Sequence, residues 1–182
     1  MKFTKGEIEG LWILEPEIFG DNRGYFLESF RKDQFHIETG LRVDFVQDNE
    51  SMSGKNILRG LHLQKPPYGQ GKLVRVTRGA VLDIAVDVRK NSPTYGCYQM
   101  IELNATNKLQ FFIPEGFAHG FMTLEDDTVF QYKCTNYYAP EHETGIRWND
   151  PDLDIPWPDV SGITISAKDE KLPLFNEFIS PY

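Results

Sequence analysis

Apolar positions along this chain come in short runs, not at helical intervals. The candidate strands are residues 10–19, 24–30, 43–51, 57–64, 71–79, 80–88, 98–104, 109–117, 118–125, 128–136 and 145–150. Each is rich in β-branched, aromatic or leucine residues, and Gly, Pro, Asn and Asp separate them. About ten short strands at roughly 8–12-residue spacing predict an all-β sandwich or barrel. One segment differs: "RKDQFHIETGL", residues 31–41, predicts a short helix ended by Gly40. "SPTYG" (92–96) and "NATNK" (104–108) read as turns. Residues 148–178 are rich in Pro and Asp and predict loops wrapping the outside, with a short helix near 169–178.

Alternation within the strands sorts residues by face. His62 shares a face with Gly60 and Gln64, opposite Leu61 and Leu63. Lys72, Val74 and Val76 share one face, and Leu73, Arg75 and Thr77 the other. Phe130, Tyr132 and Cys134 fall together, opposite Val129, Gln131 and Lys133. An interior carrying His, Lys, Tyr and Gln among apolar residues is not a plain core. Buried polar groups need partners, and several converging on one cavity describe a binding site.

Bulk composition narrows the class. The chain has 182 residues, 40% of them apolar and 13% aromatic, enough for one domain over 1–182 with a sizeable core. A net charge of −8 disfavours binding of nucleic acid through a basic face. No apolar run approaches the roughly 18 residues of a membrane span, and the N-terminus has no signal-like apolar block. The expectation is a cytoplasmic protein with no membrane partner. Cys97 and Cys134 lie in no CxxC pattern, so thiolate metal sites are not expected.

His62 is the central candidate, and its plain reading is a hydrogen-bonded strand histidine, with Lys72 on a solvent face. A metal would need further N or O ligands. The stretch "IPEGFAHGF" has the PxGxxH form of metal-binding double-stranded β-helix (cupin) proteins, which makes His119 a plausible neighbour of His62. The first cupin box usually supplies HxH, whereas this chain reads His62-Leu63-Gln64. With the metal set depleted, a general-base reading gains, because histidine titrates near neutrality. Such a base is usually oriented by a carboxylate. Asp83, Asp87 and Asp169 all fit by pattern, although the plain reading of each is a surface or capping residue. Tyr132 reads as core, or as a proton donor if it faces a cavity. Arg23 and Arg59 each precede a glycine, which allows close approach of a bulky anion, and an arginine fork suits a diphosphate. No P-loop or GxGxxG is present.

The blocks "DNRGYFLESF", "FVQDNESMS", "ILRGLHLQ", "QGKLVRVTRGAVLDIAVDVR", "SPTYG", "FFIPEGFAHGF", "FQYKCTNYYAPEHE", "IRWNDPDLDIPWP" and "ISAKD" occur in this order. Together they resemble the dTDP-4-dehydrorhamnose 3,5-epimerase family of the cupin superfamily, from about residue 3 to 178. Leu63 departs from the aromatic that many members carry there. The resemblance implies a homodimeric jelly roll with short peripheral helices, needing neither metal nor cofactor. It implies a dTDP-4-dehydro-6-deoxy sugar as substrate, inverted at C3 and C5, in a route to dTDP-L-rhamnose and cell-surface polysaccharide. By the same resemblance His62 is the base, Asp169 orients it, Lys72 stabilises the enolate oxygen and Tyr132 returns a proton from the other face. Arg23, Arg59 and Lys168 are placed near the diphosphate or sugar. Glu28, Gln47, Asp48 and Asn49 are placed near the nucleotide and the partner subunit. His119 and Glu143 line the site, and Tyr138 stacks on thymine. Lys168 and Asp169 are adjacent, so both serve one site only if the backbone turns there. Relatives that invert one carbon, or isomerise the ketone, share most of these blocks. A metal-dependent cupin and a non-catalytic dTDP-sugar binding module are the other readings.

Overall fold

A computed structural model describes residues 1–158 and 161–182. Two antiparallel sheets face each other. The strands are β1 (Lys2–Lys5), β2 (Trp12–Glu15), β3 (Ile18–Asp21), β4 (Gly24–Leu27), β5 (Gln47–Ser53), β6 (Leu58–Gln64), β7 (Lys72–Arg78), β8 (Ala80–Asp87), β9 (Tyr98–Asn104), β10 (Gln110–Ile113), β11 (Phe117–Thr123), β12 (Thr128–Cys134) and β13 (Glu143–Gly145). One sheet has the order β1-β2-β10-β7-β12-β5, the other β13-β6-β11-β8-β9, and β3-β4 form a separate hairpin. This is the all-β sandwich expected from the strand spacing, in the cupin-like, jelly-roll form that the resemblance implies.

The five-stranded sheet is covered on both faces, whereas the outer face of the six-stranded sheet is covered at one end and open along β5, so β5, β7 and β12 alternate less and more exposed positions. Between the sheets, Val74, Val76, Phe111 and Phe130 meet Val81, Ala85, Leu103 and Phe121. Outside the six-stranded sheet, Leu14, Leu73 and Phe112 pack on Phe35 of helix α1 (Lys32–Thr39). Phe35 is fully buried, its ring 5.0 Å from that of Phe112 and edge-on to it. Outside the five-stranded sheet, Leu61, Leu63, Ile84 and Ala118 are sealed by Leu153, Ile155 and Phe178 of the tail. Burying each such large side chain stabilises the fold by roughly 1.5–3 kcal/mol.

Helix α1 ends as predicted, with Gly40 in the left-handed region at φ 72° and its N–H on the His36 carbonyl. Four elements differ from expectation. The strand expected at 10–19 is split at Pro16 into β2 and β3, which lie in different sheets. Lys2–Lys5 form a strand whose "KFTK" pattern is too polar and short to be noticed. The strand expected at 145–150 is Glu143–Gly145, and beyond the Ile146–Leu61 bonds the chain turns where Asp150 accepts the N–H groups of Asp152 and Leu153. The helix expected near 169–178 is a single 3-10 turn, Asp169–Lys171, stopped by the proline at 173. Within the tail predicted to wrap the barrel, Asp159 and Val160 lie outside the described residues. Among the described residues no helix is long and apolar enough to cross a membrane.

Candidate active site

At one end of the sandwich the apolar filling gives way to a cavity of about 480 Å³, lined by Arg59, His62, Lys72, His119, Tyr132, Lys168 and Asp169 among others. An adjoining recess of about 250 Å³ shares His62, Lys72 and Tyr132 and adds Gln47, Asn49, Gln64, Tyr138 and Glu143. Alternation explains the lining. On β6 Leu61 and Leu63 turn outward to the tail, so His62 between them turns inward. On β7 and β12, Val74 and Phe130 fill the core, while Lys72 and Tyr132 on the same faces reach the cavity.

His62 Nε2 lies 2.7 Å from Asp169 Oδ1, across 107 residues of sequence. The other carboxylate oxygen accepts the Gly60 N–H at 3.3 Å. Burial pushes the Asp169 carboxyl up, but the bonds from His62 and Gly60 outweigh it and hold it below the ordinary aspartate value. An ionised carboxylate only accepts, so His62 donates from Nε2 and keeps the Nδ1 lone pair free. Gly60 has φ 137°, and a Cβ there would stand 2.5 Å from the Gly120 Cα. The glycine beside Arg59 thus serves a close approach of β6 to β11.

His119 faces His62 directly across the β6–β11 pair. Its Nε2 lies 3.1 and 2.9 Å from the two oxygens of Asp83. The pair is almost sealed, with 7% and 0% of side-chain surface exposed, against 26% and 5% for His62 and Asp169. Burial dominates both groups, pushing Asp83 up and His119 down. Against the plain reading of surface or capping residues, Asp83, Asp87 and Asp169 are all buried, although Asp87 does cap a turn, accepting the Arg89 N–H at 3.0 Å.

Lys72 and Tyr132 have no hydrogen-bond or ion-pair partner among the described residues. No buried side-chain nitrogen or oxygen among those residues lacks one, so both polar tips open on the cavity. Burial pulls the Lys72 ammonium below the usual lysine range, opposed by the Cys134 thiol and the Asp83 and Glu143 carboxyls. Burial raises the Tyr132 phenol. At the rim, Glu143 Oε2 accepts from Tyr138 Oη at 2.6 Å and Lys168 Nζ at 2.5 Å. Burial pushes Glu143 up, but these two bonds hold it below its ordinary value. The backbone does turn at Lys168, which is helical at φ −73° and ψ −47°, so it and Asp169 face one cavity.

Not every candidate is brought here within one chain. Arg23 sits on the exposed β3–β4 hairpin, paired with Asp21. Glu28 is exposed just beyond that hairpin. Asp48 points to the opposite face of β5 from Gln47 and Asn49 and pairs with Lys133 at 2.9 Å. Sequence reasoning missed the pairing of Asp83 with His119. The signal was the strand order, which sets β8 beside β11.

The description "dTDP-4-dehydrorhamnose 3,5-epimerase" belongs to a family whose profile matches residues 5–177. The chain belongs to this family. It is 53% identical over 179 residues to dTDP-4-dehydrorhamnose 3,5-epimerase of Escherichia coli K12, covering 98% of this chain and 97% of the relative. The crystal structure of dTDP-6-deoxy-D-glucose-3,5-epimerase from Legionella pneumophila with dTDP-4-keto-L-rhamnose superposes with a TM-score of 0.94. Identity is 46%, over 98% of this chain and 94% of that one. A 3'-monoepimerase from Streptomyces bikiniensis with dTDP-quinovose gives a TM-score of 0.89 at 37% identity, over 93% of this chain and 86% of that one. The dTDP-4-dehydrorhamnose 3,5-epimerase family therefore shares its architecture with an enzyme that inverts a single carbon.

Proposed function

We propose that this chain inverts C3 and C5 of dTDP-4-dehydro-6-deoxy-D-glucose, yielding dTDP-4-dehydro-L-rhamnose. The observation that carries the reading is the 2.7 Å His62–Asp169 bond at a cavity into which Lys72 and Tyr132 point unpartnered. Both carbons lie alpha to the C4 ketone, so removing either proton leaves an enolate. His62 Nδ1 takes the proton, and Asp169 holds the ring and stabilises the imidazolium that forms. The Lys72 ammonium, partly desolvated, stabilises the growing charge on the C4 oxygen, an effect of about 10²–10³-fold for one such donor. Tyr132, on the facing sheet, returns a proton from the opposite side. A proton taken and returned on one face would give no inversion, so acid and base must come from different walls.

Arg59 and Lys168 hold the anionic and sugar portions, and His119 lines the sugar site. Gln47, Asn49, Tyr138 and Glu143 form the rim, where Tyr138 stacks on thymine. The protein acts as a homodimer. Ile18, Phe19, Tyr25 and Phe26 of the β3–β4 hairpin are all exposed in one chain, a pattern suited to burial against a second copy. Arg23 and Glu28, beyond reach of their own cavity, and Asp48 then serve at that interface.

The test is NMR of this substrate with the enzyme in deuterium oxide. Deuterium entering at both C3 and C5 supports the proposal, and deuterium at one carbon favours the single-carbon reading. Tyr132→Phe is expected to keep wash-in while losing net inversion, and unchanged inversion would remove its acid role.

A further inference from the structure

Gln64 stands where a metal-binding cupin would carry its second histidine, and its amide does something else. It is buried, with 4% of its surface exposed. Both amide N–H groups donate to main-chain carbonyls, those of Tyr68 at 2.6 Å and Tyr137 at 3.1 Å. Its Oε1 accepts the Ala139 N–H at 2.7 Å. A flipped amide would set oxygen against two carbonyl oxygens, so only one orientation fits. Gln64's own carbonyl accepts the Tyr182 hydroxyl at 2.7 Å, which braces this end of β6 from the C-terminus.

The bonds to Tyr137 and Ala139 flank Tyr138. The Tyr138 N–H itself is taken by Gln47 Oε1 at 3.0 Å. Two glutamine side chains therefore hold three consecutive main-chain groups around one tyrosine. That tyrosine is 54% exposed, so packing alone does not fix it. Backbone anchoring, with the hydroxyl tied to Glu143 at 2.6 Å, leaves the exposed ring face open to a planar ligand while limiting the arrangements it must give up on binding.

We infer that Gln64 is a positioning residue for nucleotide binding: it fixes the Tyr138 backbone, and through it the rim, without touching the reacting carbons. The inference rests on the proposed function for its ligand, a thymidine diphosphate. Binding and proton transfer are thereby divided along one strand, with His62 serving the chemistry and Gln64, two residues on, serving affinity.

Calorimetry with dTDP alone, together with steady-state kinetics, tests it on Gln64→Ala, Gln64→Glu, Tyr138→Ala and the Gln64→Ala/Tyr138→Ala double variant. Gln64→Glu keeps the shape and the Ala139 bond but loses both donors, so it carries the test if the alanine variant does not fold. Both Gln64 variants are expected to weaken dTDP binding and raise KM by about tenfold, with kcat within about threefold of wild type, the signature of lost uniform binding. Once Tyr138 is alanine, removing Gln64 adds little, because the ring it positions is gone. Unchanged dTDP affinity with a fallen kcat would overturn the inference, as would losses at Gln64 and Tyr138 that simply multiply. A wild-type protein that binds dTDP but washes in no deuterium would fail the epimerase reading, and the dTDP comparison would still report on Gln64.

Discussion

Two histidines face one another across β6 and β11, and each meets an aspartate through Nε2. The chemistry of the pairs is the same and their electrostatics are opposite. Asp169 arrives on a turn after the sheets are complete, gains the Gly60 N–H as a second donor, and is held below its ordinary value. Asp83 comes from the neighbouring strand, its carboxylate has only His119 as a hydrogen-bond partner among the described residues, and it is pushed up by burial. Desolvation disfavours every charged form, and donors to a buried carboxylate offset it to different degrees in the two pairs. A charged Asp169 fixes the His62 tautomer and can stabilise an imidazolium. The sealed Asp83–His119 pair is suited to holding a ring in place.

The largest expected effect is at Asp169. Asp169→Asn should cut kcat by about 10³–10⁴-fold, because an amide can donate to His62 and reverse its tautomer. If kinetics found Asp83→Asn equally damaging, the distinction between the pairs would collapse. His119→Asn should be milder, about 10–100-fold in kcat/KM with proton exchange retained.

Stability against pH should separate the pairs by sign. The folded value of Asp169 is depressed, so its contribution is present above the unfolded value and is lost as pH falls through the folded one. The deficit of Asp169→Asn in urea unfolding should therefore shrink in acid. The folded value of Asp83 is raised, so its contribution is full below the unfolded value and is lost as pH rises through the folded one. The deficit of Asp83→Asn should shrink toward alkaline pH, and slopes of the same sign would refute the assignment. Asp87 supplies a reference carboxylate with no chemistry. Burial opposes its charge, but bonds from Arg89, Ser92 and Thr94 hold it at about 2 against an ordinary 3.8. Asp87→Asn should cost about 2 kcal/mol at pH 7, a loss that fades as pH falls toward that value.

Much of this site was legible in the chain because alternation carries it. Leu61 and Leu63 outward forces His62 inward, and the same rule delivers Lys72 and Tyr132. The resemblance supplied Asp169, whose turn no periodicity reveals. Glycine beside Arg59 marks a close approach, and only the strand order shows that the β11 backbone makes one. The partners of Asp83 and Gln64, both singled out in the chain, are not legible there because strand order and loop path fix them, not spacing along the chain. The tail's helix failed because Pro173 follows so soon after Asp169.

The most direct test compares solvent-deuterium wash-in at C3 and C5 for His62→Asn and His119→Asn at saturating substrate. The account predicts that His62→Asn loses exchange at both carbons while His119→Asn retains it. Exchange surviving in His62→Asn, or vanishing only in His119→Asn, would contradict it.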